Sequence, residues 1–203
     1  TVGAATFDGL GGAGTAPMAL ILPLRVIPAV GGANLIDIVH AMLYAARLSN
    51  NSGTLPARRA DVINLSLGGD RPCDAAYQDA VNQVRAAGVI VVAAAGNDAR
   101  NDLGQPHPVG APANCAGAIA VSALDARKQL ASYSNTGSQI GVAAPGGDLG
   151  QSTTGTGAPD GVYSDVATFD ANGVRRASFD PKHGTSMAAP HVAGVMALMR
   201  YVN

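Results

Sequence analysis

Short apolar runs alternate with helical patterns along most of this chain, and that alternation leaves few folds open. Runs that stay apolar at successive positions are strands covered on both faces, and such strands occur in mostly parallel sheets with helices on either side. The predicted class is therefore α/β, a doubly wound, mostly parallel sheet flanked by helices. The predicted order is a strand over Ala19 to Ile27, an amphipathic helix over Leu35 to Leu48, and a strand over Asp61 to Leu67. A helix over Ala75 to Ala87 follows, with Gly88 placed to end it. Short buried strands come next, over Val89 to Ala95, Ala118 to Ala123 and Ile140 to Ala144. Gly146 to Gly161 turns to Gly, Ser and Thr and reads as a mobile loop, and Val166 to Phe179, with Asn172-Gly173 in its middle, reads as a β-hairpin with a tight turn. No composition shift or repeat divides the chain, so residues 1–203 are read as one domain.

Composition excludes some classes of function without choosing one. A formal charge of -1 gives no electrostatic basis for nucleic-acid binding. A hydrophobic content of 47% over 203 residues is enough for one sizeable core. No run reaches the about 18 apolar residues of a membrane-spanning helix, so none is expected. Thr1 opens the sequence without a methionine, a charged n-region or an apolar h-region, so a mature or fragmentary chain is expected. The two cysteines, Cys73 and Cys115, leave one disulfide and two buried thiols equally open by counting.

Ser186 carries the strongest chemical signal. It lies in Gly184-Thr185-Ser186-Met187-Ala188-Ala189-Pro190-His191-Val192-Ala193-Gly194, ahead of Val192, Val195, Met196, Leu198 and Met199 at helical spacing. That places Ser186 at a helix N-terminus, where unpaired N–H groups and the dipole favour an oxyanion formed by hydroxyl attack on a carbonyl. Pro190 is expected in the first turn, which needs no N–H from it. Most serines in front of helices only cap them. Asn97 follows a strand end and Gly96, at the carboxyl edge of a sheet where α/β ligands gather. Its amide is a neutral donor that can face a developing O⁻ without competing for a proton, although an Asn after Gly also suits a turn.

The full Ser186 string resembles the serine segment of the subtilisin-like serine proteases. Asp61-Val62-Ile63-Asn64-Leu65-Ser66-Leu67-Gly68-Gly69 resembles that family's strand and substrate-binding turn, and Val91-Val92-Ala93-Ala94-Ala95-Gly96-Asn97 resembles the strand that ends in its oxyanion-hole asparagine. The resemblance runs from near Thr1 to Asn203 and implies a serine endopeptidase with Ser186 as nucleophile and Asn97 as oxyanion donor. It implies that Ser66, Leu67, Gly68 and Gly69 form an edge for an extended peptide, and that Ala94, Ala95 and Gly96 wall the pocket for the side chain before the scissile bond. Asp98 is expected at that pocket's rim, admitting a cation as well as a bulky apolar group, with a cis bond at Ala111-Pro112 beside it. Pairing of Cys73 with Cys115 is implied by the secreted bacterial branch of the family, as is a secreted, extracellular location.

The resemblance leaves two triad members unassigned. The family order is Asp, His, Ser, yet the aspartate and histidine segments have no match here. His40, His107 and His183 match no catalytic segment, and the resemblance gives His191 a structural role. The chain resembles the family from just after its histidine segment and stops one helix past the serine, so a sheet incomplete at both ends is expected. Either an N-terminal segment of the same protease supplies the Asp and His, or the chain is a remnant that only binds peptide.

Other chemistries have less support. Gly9-Leu10-Gly11-Gly12-Ala13-Gly14 satisfies the dinucleotide pattern but precedes a predicted strand instead of following one. An α/β-hydrolase is disfavoured because Ser186 lacks a glycine two residues later. Cysteine and histidine spacing fits no zinc site. No cofactor is required by the predicted reaction, and structural calcium is expected, if anywhere, near Asp98, Asn101, Asp102 or Asp148.

Overall fold

A computed structural model describes residues 1–6, 11–99, 104–153, 155 and 157–202. The elements are α1 (Leu35–Ala45), β1 (Val62–Leu65), α2 (Ala75–Ala86), β2 (Ile90–Ala94), β3 (Ile119–Leu124), β4 (Ile140–Pro145), β5 (Val162–Phe169), β6 (Arg175–Lys182) and α3 (Thr185–Val202). Strands β1 to β4 form one sheet in sequence order, each parallel to the next. The α/β class predicted from the alternation is the one observed.

Alternate residues of each strand feed opposite cores, as the period of two requires. Ile63, Leu65, Val91, Ala93 and Ala95 meet Ile38 and Met42 of α1 and Tyr77, Val81 and Val84 of α2. Val92, Ala94, Val121 and Ala123 meet Ala188, Ala189, Val192 and Ala193 of α3 on the other face. Helix α2 starts where the Asp74 side chain accepts from Tyr77 N–H. It ends in a Schellman turn, with Gly88 at φ +81 and the N–H groups of Gly88 and Val89 donating to Arg85 O and Val84 O. Helix α1 stops at Ala45, short of the predicted Leu48, because Arg47 takes the left-handed conformation at φ +58.

Two expectations are corrected. The run over Ala19 to Ile27 forms no strand: no backbone ladder reaches it, and Leu20 and Ile21 are 84% and 59% exposed. A strand needs a neighbour to take its N–H and C=O groups, and β1 has only β2 beside it among the described residues. The buried stripe of α3 is the predicted one only in part, through Val192 and the half-buried Met196. Val195, Leu198 and Met199 are exposed, whereas Thr185, Ala188, Ala189, Val192 and Ala193 face the sheet, because small residues let the helix lie close to it. The stretch after Gly146 is cinched by an isolated bridge between Asp148 and Asp160; within it Thr154 and Thr156 lie outside the described residues.

The hairpin is longer than predicted, with Val162 opposite Lys182 at its base and Phe169 opposite Arg175 at its tip. Its turn closes with Asp170 N–H to Val174 O and Gly173 N–H to Asp170 O, with Gly173 at φ +75. Cys73 and Cys115 are joined in a disulfide, and the Ala111-Pro112 bond is cis. No described helix is long and apolar enough to cross a membrane.

Candidate active site

The segments after β1 and β2 and the start of α3 converge at the carboxyl edge of the sheet. They enclose a cleft of about 330 Å³ lined by Leu67, Gly68, Gly69, Ala94, Ala95, Gly96, Asn97 and Ser186. Every candidate residue from the sequence except Ser66 lines this space, and Ser66 lies directly behind Ser186. A larger hollow of about 560 Å³ lies at the opposite edge, among Arg85, Gly88 and Gly117, and none of its lining residues is a nucleophile or base.

Ser186 is the second residue of α3, so its N–H has no intrahelical acceptor. Pro190 falls beyond the first turn, contrary to expectation, and it deprives Ser186 O of the amide that a helix would normally supply. Ser66 fills that place. Its Oγ donates to Ser186 O at 2.7 Å, while Ser186 Oγ donates to Ser66 O at 3.2 Å. This reciprocal pair fixes the Ser186 backbone and leaves its hydroxyl on a backbone carbonyl.

Asn97 is oriented by its oxygen. Thr185 N–H and Thr185 Oγ1 donate to Asn97 Oδ1 at 2.8 and 2.9 Å, and Gly96 N–H donates to Thr185 Oγ1 at 3.2 Å. Holding Oδ1 at the helix start fixes the plane of the amide and leaves Nδ2 as its donor end. Asn97 Nδ2 and Ser186 N–H are thus two donors at one helix N-terminus, an arrangement able to hold an oxyanion.

Close backbone approach explains the glycines of the cleft. A Cβ on Gly68 would lie 2.8 Å from Ala111 O, and one on Gly110 would lie 2.5 Å from Gly69 O. Along the expected Ser66–Gly69 edge, Gly69 N–H donates to Ala111 O at 2.9 Å and Ser66 O accepts from Ser186 Oγ.

Asp98 lines the cleft as expected, and Asp70 joins it. Asn135, 1% exposed, ties the two sides together and was not legible in the sequence. Its Oδ1 accepts from the N–H groups of Asp98 and Ala99 at 2.7 and 3.1 Å, and its Nδ2 donates to Pro108 O at 2.9 Å and Asp98 Oδ2 at 3.3 Å. His107 lies beside it, with Nε2 3.2 Å from Asp70 Oδ2. Tyr133 is the second residue missed: its Oη accepts from Gly184 N–H at 3.0 Å and donates to Gly147 O, clamping the turn before Ser186. Burial pushes the Tyr133 hydroxyl up to about 12.

The histidines are occupied elsewhere. His40 Nδ1 accepts from Asn51 N–H, His183 Nδ1 accepts from Leu149 N–H, and His191 Nδ1 lies 2.8 Å from Met187 O. Among the described residues no histidine or carboxylate is bonded to Ser186 Oγ, and no three His, Cys, Asp or Glu side chains converge to hold a metal. Of the expected calcium positions, Asn101 and Asp102 lie outside the described residues, as do Gly9 and Leu10 of the dinucleotide pattern.

The model of the subtilase family matches residues 1–203. An extracellular protease of Xanthomonas campestris pv. campestris is 41% identical over 203 residues, which is 100% of this chain and 31% of that protein. Subtilisin E of Bacillus subtilis is 35% identical over 196 residues, covering 97% of this chain and 42% of its own. A protease of Pseudoalteromonas arctica PAMC 21717 superposes with a TM-score of 0.85 at 39% identity, over 100% of this chain and 57% of that one. The chain thus spans between about a third and three fifths of these relatives.

Proposed function

Because the chain belongs to the subtilase family, we propose that it carries the nucleophile, the oxyanion donors and the substrate walls of a secreted serine endopeptidase. The Asp and His of the triad come from a segment upstream of Thr1. The observation that supports this reading is that Ser186 and Asn97 line one cleft, with the Asn97 amide tied to the start of α3. An extended peptide lies along Leu67 and Gly68, with the side chain before its scissile bond between that edge and the Ala94-Ala95-Gly96 wall. Backbone contacts there are blind to side-chain identity.

In the proposed reaction the upstream histidine takes the Ser186 hydroxyl proton as Oγ attacks the peptide carbonyl. The carbonyl oxygen becomes an oxyanion held by Asn97 Nδ2 and Ser186 N–H, and collapse expels the amine with the same proton, leaving an acyl group on Oγ. Water then repeats the sequence and frees the acid. An extracellular location is supported by the Xanthomonas relative, an extracellular protease.

The bond from Ser186 Oγ to Ser66 O is the resting state expected without a base, so this chain alone should react slowly. In subtilisin, the reference enzyme, loss of the histidine lowers turnover roughly 10⁶-fold, a magnitude taken over from that enzyme. A fluorophosphonate probe tests the proposal. The chain alone should label slowly, and adding the upstream segment should give stoichiometric labelling at Ser186. No labelling with that segment present would leave only peptide binding, and rapid labelling without it would remove the need for an upstream base.

A further inference from the structure

A tyrosine that packs into a core must bring its hydroxyl to a polar partner there. Tyr133 packs against the core on the α3 side of the sheet, beside the His183 ring at 4.9 Å. Its Oη donates to Gly147 O at 2.5 Å and accepts from Gly184 N–H at 3.0 Å. Gly184 N–H is shared, since Gly146 O accepts from it at 3.0 Å as well. There is no spare room at this junction: a Cβ on Gly146 would lie 2.4 Å from Ala123 Cβ and 2.9 Å from Tyr133 Oη. The turn before α3 thus hangs from the two residues after β4, in part through a phenol.

Both oxyanion donors of the proposed reaction are built on Gly184. Its carbonyl accepts from Met187 N–H at 2.9 Å and Ala188 N–H at 3.3 Å, which closes the first turn of α3 around Ser186. The next residue, Thr185, holds Asn97 Oδ1 through its N–H and its Oγ1. A shift of Gly184 therefore moves Ser186 N–H directly and the Asn97 amide through Thr185. An N–H shared between two acceptors can slide from one to the other. The Tyr133 hydroxyl, anchored on Gly147 O, limits that movement.

We propose that Tyr133 is a positioning residue for peptide hydrolysis, its hydroxyl setting the place of the Ser186 N–H and Asn97 Nδ2 donors through Gly184. The inference rests on the peptidase reading above. Tyr133 is not among the residues that line the cleft, so it acts only through the turn. Donors serve an oxyanion at about 2.7–3.1 Å, and a shift of a few tenths of an ångström weakens them where charge develops. Contacts of the bound peptide along Leu67 and Gly68 do not pass through Gly184. Loss of the hydroxyl should therefore lower turnover and leave substrate affinity in place. The ring stays in the core and Gly184 N–H keeps Gly146 O, so the fold survives the change.

The test compares wild type with Tyr133→Phe in the full-length protein, on a peptide p-nitroanilide with phenylalanine before the scissile bond. Turnover is counted per Ser186 labelled by a fluorophosphonate at completion, so unfolded molecules drop out. The variant should lose about tenfold in kcat with KM held within about twofold. A peptide boronic acid, whose tetrahedral adduct on Ser186 Oγ mimics the oxyanion, should lose affinity by the same factor. The acid limb of the pH profile should keep its midpoint, because burial pushes the Tyr133 hydroxyl up to about 12 and it stays protonated there. Tyr163→Phe, on the exposed side of β5, should match wild type. Wild-type kcat in Tyr133→Phe, or a loss confined to KM, would overturn the inference alone. A displaced acid limb would also overturn it, by placing Tyr133 in the proton path. A wild-type protein that cleaves no peptide would overturn the peptidase reading and this inference with it.

Discussion

Ser66 shows how much of this site depends on one hydroxyl. Pro190 removes the amide that would have met Ser186 O, and the Ser66 hydroxyl at 2.7 Å replaces it, so the first turn of α3 is held from outside the helix. Ser66→Ala leaves that carbonyl without its partner, at a cost of about 1–2 kcal/mol. The expected result is a melting temperature lower by about 2–8 °C, together with slower fluorophosphonate labelling of Ser186 in the full-length protein. Unchanged values of both would show that water serves Ser186 O as well as Ser66 does. At this scale the sequence was informative where chemistry is local: Ser186 and Asn97 stand in segments whose neighbours define their setting. It was silent on Asn135, because an Asn in Tyr133-Ser134-Asn135-Thr136-Gly137 looks like any turn residue until folding brings Asp98 and Pro108 against it.

Helix α3 was predicted to bury Val192, Val195, Met196, Leu198 and Met199; it buries Val192 together with small residues and leaves Val195, Leu198 and Met199 exposed. Gly194 is part of that solution, since a Cβ there would lie 2.6 Å from Thr15 Cβ and 3.0 Å from Thr15 Cγ2. In an exposed helix Gly→Ala is favourable by about 1 kcal/mol. Here Gly194→Ala should be destabilising by about 1–2 kcal/mol net, because the contact is with a short β-branched side chain that cannot swing away. Thermal unfolding of the single variant checks the sign, and a rise in melting temperature would mean that the segment at Thr15 yields freely. Element existence was otherwise readable from periodicity, and the boundaries that moved have physical causes. Helix α1 ended early because Arg47 turned left-handed, which no residue type there announced. The run over Ala19 to Ile27 has the composition of a strand, but pairing is a property of two segments, and composition describes only one.

Across the whole molecule, the Cys73–Cys115 bond ties the segment after the Gly69 turn to the one that follows the cis Pro112. The bridge spans 42 residues, and closing a loop of that length in the unfolded chain corresponds to about 4 kcal/mol of stability. Reduction should therefore lower the melting temperature by roughly 8–16 °C, and comparing scans with and without reductant measures it. A shift near zero would mean that the folded wall of the cleft holds without the bond. The sheet's other notable feature is that β1 has a partner on one side alone among the described residues, while Met18, Leu20 and Ile21 of the run that forms no strand are exposed. That edge is where a further strand from an upstream segment would pair under the proposed function.

The sequence by itself determined the α/β class, because alternation, capping and turn chemistry act over a few neighbouring residues, and its resemblance to the family pointed to the segment of the candidate nucleophile and to most of the cleft. Tertiary structure alone decided which face of α3 is buried, that Ser66 stands in for the amide missing at Pro190, and that Asp160 meets Asp148. Each of these joins positions far apart in the chain, and a contact of that kind exists only once the backbone has closed around it.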